Sequence, residues 1–201
     1  MFLNHGNDNA SDWVRRWAHL VPANGTVLDL ACGHGRHARW FASRGHPVVA
    51  VDRSQQALDA ITELAATTHG PRVQTLLADV ENAPWPLLQD GSVRRFDGVV
   101  VTNYLWRALL PTIVDSVGYG GVLLYETFAH GNASVGKPSR PDFLLQPGEL
   151  LQACQVLRIV AYEDGFCADP PRFVQRIAAV REPAAGPPLP DSADQPARYF
   201  L

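Results

Sequence analysis

Two glycines and three spaced aspartates are the residues of this 201-residue chain whose types and spacing can do chemistry. The stretch Val27-Leu-Asp-Leu-Ala-Cys-Gly-His-Gly-Arg-His-Ala38 sets Asp29 four residues before Gly33, with Gly35 following. Glycines let a backbone approach a ligand closely, and the free N–H groups of a helix start offer partial positive charge. Such a site suits a pyrophosphate or the carboxylate of an amino acid. Asp52 closes the next apolar run, and Asp79 the one after it, in Leu77-Ala-Asp-Val80. An acid ending a second strand can accept both hydroxyls of a ribose. An acid at Asp79 can accept the amino group of an adenine. Asp29 distinguishes two ligands: its carboxylate repels a pyrophosphate and attracts an ammonium group, directly or through water. The acids therefore favour a cationic aminoacyl nucleoside, although Gly33 to Ala38 also fits the dinucleotide pattern G-x-G-x-x-G/A. Helix caps or turns are the plainer roles for Asp52 and Asp79. Ser54 is the better cap for the helix that follows, which leaves Asp52 free.

These acids need strands that end beside them. Thr26–Ala31 reads as a buried strand, Pro47–Val51 as a second strand and Arg72–Ala78 as a third. Arg36–Arg44 reads as a helix stopped by Gly45. Ser54 caps another, whose apolar face is Ala57, Leu58, Ile61, Leu64 and Ala65. Upstream, Ser11 caps a helix with Trp13, Trp17 and Leu20 at helical spacing. Downstream, Asp90-Gly91 marks a turn and Phe96–Thr102 a strand. Tyr104–Val117 looks helical, with Pro111 kinking it or opening its second half. Val122–Phe128 is a further strand, followed by a long polar loop from His130 to Gln146. A short helix spans Pro147–Gln152. Val156–Glu163 and Arg172–Arg181 have no helix between them and form an antiparallel hairpin at the sheet edge. Alternating strands and helices define an α/β, doubly wound, mostly parallel sheet. Ligands of such sheets bind beyond the carboxyl ends of the strands.

Composition narrows the partners. The net charge of −3 lacks the basic excess of a dedicated nucleic-acid binder. No run approaches the ~18 apolar residues of a membrane span, and the N-terminus lacks a secretory pattern. Cys32, Cys154 and Cys167 form no C-x-x-C pair, which suggests reduced thiols and a cytoplasmic protein. Residues 1–182 read as one domain. Residues 183–201 read as an extended or poorly ordered tail holding five of the sixteen prolines.

The pattern D-x-A-C-G-x-G-R, then V-V-A-V-D-R-S, then L-A-D-V, resembles the S-adenosylmethionine-binding core of class I methyltransferases. The segments Phe96–Val101, Gly120–Thr127 and Pro141–Leu150 are most similar to small bacterial methyltransferases of the tellurite-resistance type. The resemblance runs from about Trp13 to Arg181. It implies a Rossmann-like seven-stranded sheet with an antiparallel last strand, and S-adenosyl-L-methionine as cofactor. It implies that Asp29, Gly33 and Gly35 hold the methionine end, with Ala31 and Arg36 in the same turn. It assigns Asp52 to the ribose with Arg53 beside it, Asp79 and Val80 to the adenine, and Asn103 to the mouth near the sulfonium.

Methyl transfer from a sulfonium is an in-line displacement, so alignment and desolvation matter most. A general base matters only for a nucleophile protonated at neutral pH. The catalytic candidates are Asn103, Tyr104, Arg107, Glu126 and His130, with Trp106, Arg140 and Asp142 around them. Arg107 and Arg140 could bind an anionic acceptor. Asn103-Tyr-Leu-Trp106 stands where amino-methylating nucleic-acid enzymes carry N/D-P-P-Y/F/W. His34 and His37 lack the further ligands of a metal site, so no metal is expected. The sequence thus points to methyl transfer to a small-molecule acceptor, by a monomer or homodimer, with no nucleic-acid or membrane partner. The alternatives are an NAD(P)-dependent oxidoreductase and a non-catalytic nucleoside-binding protein.

Overall fold

A computed structural model describes residues 9–65, 73–182 and 197–201. The first helix, α1 (Asp12–Trp17), starts where the Ser11 side chain accepts the Val14 N–H. Its buried Trp13, Val14 and Trp17 dock it on the sheet, and the Trp13 indole donates to the Ile177 carbonyl at 3.2 Å. Burying side chains of this size is worth roughly 1.5–3 kcal/mol each. Then come β1 (Val27–Leu30), α2 (Arg36–Ala42), β2 (Val48–Asp52), α3 (Gln55–Ala65) and β3 (Val73–Leu77). Asp90-Gly91 turns a small hairpin of β4 (Leu88–Gln89) and β5 (Ser92–Val93). The chain continues through β6 (Phe96–Thr102), α4 (Leu110–Asp115), β7 (Val117–Phe128), α5 (Glu149–Ala153), β8 (Arg158–Ala168) and β9 (Pro171–Val180).

Seven strands form one sheet in the order β3-β2-β1-β6-β7-β9-β8. The pairs from β3 to β7 are parallel, while β9 runs antiparallel to both β7 and β8. This is the expected α/β sheet with an antiparallel last strand. The hairpin differs in one respect: β9 inserts between β7 and β8, so only β8 lies at the edge. Strand order reverses between β1 and β6, the switch point where such sheets bind ligands. All four residues of β1 are buried, and so are Val48–Val51 of β2. A strand buried on both faces reads as a continuous apolar run, which is why these two were legible. One core layer holds Leu28, Leu30, Val99, Leu123 and Tyr125; the other holds Val27, Val100, Val122 and Leu124 with α1 and α2.

Several boundaries differ from expectation. The stretch after β6 is not one helix: Arg107–Leu109 forms a 3₁₀ turn, α4 opens with Pro111 in its first turn, and Val117 already belongs to β7. Proline lacks an N–H and suits only a helix start. The loop from His130 to Gln146 contains two 3₁₀ turns, Asn132–Ser134 and Pro141–Phe143. The expected end of the second long helix near His69-Gly-Pro71, and residues 183–196 of the expected tail, lie outside the described residues. The tail's last residues return to the body. Tyr199 packs against the α1 side of the core, and the Phe200 carbonyl lies 3.1 Å from His19 Nε2.

Candidate active site at the strand ends

The glycine turn is built from both sides. The Cys32 N–H donates to the Val51 carbonyl at 3.0 Å, and the Gly35 N–H to the Cys32 carbonyl at 2.9 Å. Gly35 is the left-handed N-cap of α2. Asp29 lies beneath the turn with 1% of its surface exposed. Its Oδ2 accepts the Ala38 N–H at 2.9 Å, inside the first turn of α2. Burial pushes its pKa from 3.8 up to about 7, against the opposing pull of that N–H and of Arg36. Asp29 therefore caps the helix from below. It does not line the cavity, which leaves the water-mediated route to an ammonium group rather than the direct one. Arg36 stands beside this buried acid rather than on the cavity.

Asp52 is the joint between turn and cavity. Its Oδ2 accepts the Gly33 N–H at 2.8 Å and its Oδ1 the Ser54 N–H at 2.9 Å. Arg53 reaches Glu81 at 4.0 Å. Asp79 holds its own turn: Oδ1 accepts from the amides of Glu81 and Asn82, Oδ2 from the Asn82 side chain. Those hydrogen bonds, the Asn82 side chain first, draw its pKa below the usual carboxylate range.

These groups surround a cavity of about 350 Å³ beyond the strand ends. Ala31, Asp52, Arg53, Asp79, Val80 and Asn103 all line it, and so does Tyr104. Ala31 and Asn103 end adjacent strands, and both have left-handed backbone, at φ 51° and 54°. Non-glycine residues rarely adopt that conformation, and it concentrates at functional sites. Gly33 and Gly35 form the adjoining turn. The sequence reading missed Glu81, Leu105, Thr127 and Phe128 as individual residues, although Glu81 and Leu105 follow strands and Thr127 and Phe128 close β7. It missed Pro138 and Phe143 altogether, because only the fold brings the long loop over the cavity.

Three catalytic candidates do not reach the cavity. Glu126 is 1% exposed and projects from the opposite face of β7 to Thr127, the side of Val122 and Leu124. There it pairs with Arg176 at 3.0 Å, although neither carboxylate oxygen has an aligned hydrogen bond. Arg107 is engaged elsewhere: Nε and Nη2 donate to the Glu149 carboxylate, Nη1 to the Asp142 carbonyl and Nη2 to the Leu144 carbonyl. His130 is exposed, and its backbone N–H binds the Leu145 carbonyl. Arg140 pairs with Asp142 at 2.9 Å on the surface. Tyr104 stays. Its hydroxyl is buried without an aligned partner, and burial, then the Glu81 carboxylate, push its pKa up.

Elsewhere the chemistry is quiet. His37 is buried and neutral, its pKa lowered to about 3 by burial and then by Arg36. Its Nε2 accepts the Ser11 N–H, so the proton sits on Nδ1, facing Thr102 Oγ1 at 3.5 Å. The three cysteines are free, and burial pushes the Cys154 thiol up to about 12. Among the described residues no group of three or more His, Cys, Asp or Glu side chains is placed to hold a metal, and no helix is long and apolar enough to cross a membrane.

Comparison with known proteins agrees with this geometry. Residues 27–118 match the family model described as a methyltransferase domain. Comparison with curated protein sequences gives no match. Among solved structures, TehB from Haemophilus influenzae is similar with a TM-score of 0.69 at 20% identity, over 89% of this chain and 64% of that one. The chain thus spans just under two thirds of that protein's length. A TehB-like SAM-dependent methyltransferase from Corynebacterium glutamicum gives 0.58 at 16% identity, over 85% and 87% of the two chains. The glycopeptide N-methyltransferase MtfA, solved with S-adenosyl-L-homocysteine, gives 0.58 at 20% identity, over 86% and 90%. The matched segment, under half of the chain, resembles a methyltransferase domain, and the fold is similar to that of these solved structures.

Proposed function

We propose that this chain transfers the methyl group of S-adenosyl-L-methionine to a small-molecule acceptor. The observation that carries the reading is Asp52: one carboxylate at the end of β2 holds the glycine turn and borders the cavity. The residues present fit the cofactor. Each Asp52 oxygen keeps a lone pair for a ribose hydroxyl. Val51, Ala78, Val80 and Leu105 offer apolar surface for a purine, and Asp79 Oδ2 can accept its amino group. Gly33, where a Cβ would meet nothing within 4 Å, leaves room for the methionine end. The bound cofactor would supply an activated methyl group with a good leaving group. The protein's share is then to orient it and exclude water. Asn103 stands at the mouth, on the strand end next to Ala31.

The acceptor is read as a small molecule because the lined volume is small and the chain carries net charge −3. A cytoplasmic monomer or homodimer, organised as one domain over residues 1–182, completes the proposal. Calorimetry with S-adenosyl-L-homocysteine tests it. Binding is expected, weakened by roughly 1–3 kcal/mol in Asp52→Ala, the cost of stranding polar groups. A wild-type protein that does not bind this compound would refute the reading.

A further inference from the structure

A second cleft opens at the other end of the strands. Asp12, Arg15, Arg16 and His19 recur at i, i+3, i+4 and i+7, so α1 and the turn after it carry them on one stripe, away from buried Trp13 and Trp17. Trp40 and Arg44, four residues apart at the end of α2, line the same space. The cleft is open and holds about 670 Å³, with Val21 and His46 on its walls. Val21 precedes β1 and His46 precedes β2. The cleft therefore lies where these strands start, whereas the cavity at Asp52 and Asp79 lies beyond the strand ends.

Its charge is one-sided: three guanidiniums line it against one carboxylate, that of Asp12. Arg107, Arg176 and Arg181 elsewhere are tied down by hydrogen bonds. The Arg15 and Arg16 guanidiniums make none among the described residues. Arg15 has Asp12 at 3.6 Å and Arg16 has Glu163 at 3.7 Å, and exposed pairs of this kind are weak. Arg44 is held in place and still open. Its guanidinium lies over the Trp40 ring, 3.6 Å from the centroid, and Nη1 donates to the Trp40 carbonyl and the Ser43 hydroxyl, each at 3.3 Å. Nε and Nη2 keep no partner among the described residues, and together they are the edge of the fork that matches two oxygens of an oxyanion.

His46 narrows the kind of anion. It is 9% exposed, and its Nδ1 donates to the Gly25 carbonyl at 2.9 Å. Nε2 has no partner among the described residues and is the ring nitrogen left to the cleft. It can accept from a protonated oxygen or, carrying a proton, donate to a bare one. Phosphate oxygens occur in both forms near neutral pH, whereas sulfate oxygens are bare. His19 is already taken, with Nδ1 and Nε2 at 2.9 and 3.1 Å from the carbonyls of Arg16 and Phe200.

We propose that this cleft is a second ligand site, for a small phosphate anion of the pyrophosphate class. The open edge of Arg44 takes one phosphoryl group, Arg15 and Arg16 balance the remaining charge, and His46 shares a proton with a phosphate oxygen. The site is at the opposite end of β1 and β2 from the cavity, so the anion binds without competing for the cofactor. The inference stands apart from the methyltransferase reading above.

Calorimetry of the full chain with sodium pyrophosphate, at neutral pH and low ionic strength, tests it. One ion should bind per chain, with a Kd that stays within twofold when S-adenosyl-L-homocysteine is present. The double variant Arg15→Gln, Arg44→Gln should weaken binding at least tenfold; both side chains are exposed, so it should fold. Arg53→Gln, in the other cavity, should leave the Kd within twofold, and sulfate should bind at least tenfold more weakly than pyrophosphate. No binding of pyrophosphate, full affinity in the double variant, or equal binding of sulfate overturns the proposal. Competition with S-adenosyl-L-homocysteine, or loss of binding in Arg53→Gln, puts the ion in the other cavity and overturns it too. A short single-stranded RNA that binds more tightly than pyrophosphate would make the cleft a nucleic-acid contact and overturn it as well.

Discussion

The Asp52 carboxylate accepts the Gly33 amide N–H at 2.8 Å, tying the end of β2 to the turn after β1. The two strands are parallel neighbours, with Leu30 opposite Val51, so the reach is short. The proposed ribose seat and the proposed methionine seat thereby share one side chain. A change at Asp52 is felt at both.

The two glycines of that turn are not equivalent. Both have positive φ, at 53° for Gly33 and 72° for Gly35. A Cβ on Gly33 meets nothing within 4 Å, whereas one on Gly35 would lie 2.4 Å from Ile61 Cδ1. Gly33→Ala should cost about 1–2 kcal/mol, the price of left-handed backbone. Gly35→Ala should cost a further ~1–3 kcal/mol for overpacking against α3. Urea unfolding checks the ordering. Adding Ile61→Ala should recover part of the Gly35→Ala loss and none of the Gly33→Ala loss. Equal costs at the two glycines would contradict the packing account.

Asp29 and His37 give stability opposite dependences on pH. The folded pKa of Asp29 is raised from 3.8 to about 7. Its contribution is complete below 3.8 and is lost as pH rises through 7. His37 is lowered from 6.5 to about 3. Its contribution is present above 6.5 and is lost as pH falls through 3. Asp29→Asn should therefore gain on wild type between pH 4 and 7, by on the order of 1 kcal/mol per pH unit. Denaturant titrations of both proteins across that range measure the difference. A difference independent of pH would mean that Asp29 is already ionised in the fold.

Arg107 is a clasp rather than an anion receptor. It joins the segment after β6 to α5 and to the end of the long loop, and Glu149 Oε2 also accepts the Gln146 N–H at 2.8 Å. Arg107→Ala should cost about 1–3 kcal/mol by stranding the Asp142 and Leu144 carbonyls. Hydrogen exchange at the Gln146 amide should accelerate, and affinity for S-adenosyl-L-homocysteine should stay within twofold. Unchanged exchange at Gln146 would reopen a ligand role for Arg107.

The chain's local patterns already contain the strands, the glycine turn and the acids at the strand ends. Runs such as Val48-Val-Ala-Val51 and Phe96-Asp-Gly-Val-Val-Val-Thr102 carry their burial in their composition, and Asp52 and Asn103 sit where those runs stop. Position along a strand is local information. The direction of a side chain and the identity of its partner are not. Glu126 follows a strand residue as Asp79 does, yet β7 turns it to the far face, where Arg176 of β9 lies opposite in register. Arg107 looks available in sequence until Glu149, forty-two residues on, occupies it. Asp29 reads as a ligand group until the low dielectric beneath α2 makes it a buried cap. Pro138 and Phe143 carry no local signal of a cavity wall, because only closure of the long loop over β6 and β7 makes them one. The sequence by itself determined the sheet and the side of it on which the cavity lies. The tertiary structure decided which side chains face that site and which are spent holding it, because pairing and burial depend on residues far apart in the chain.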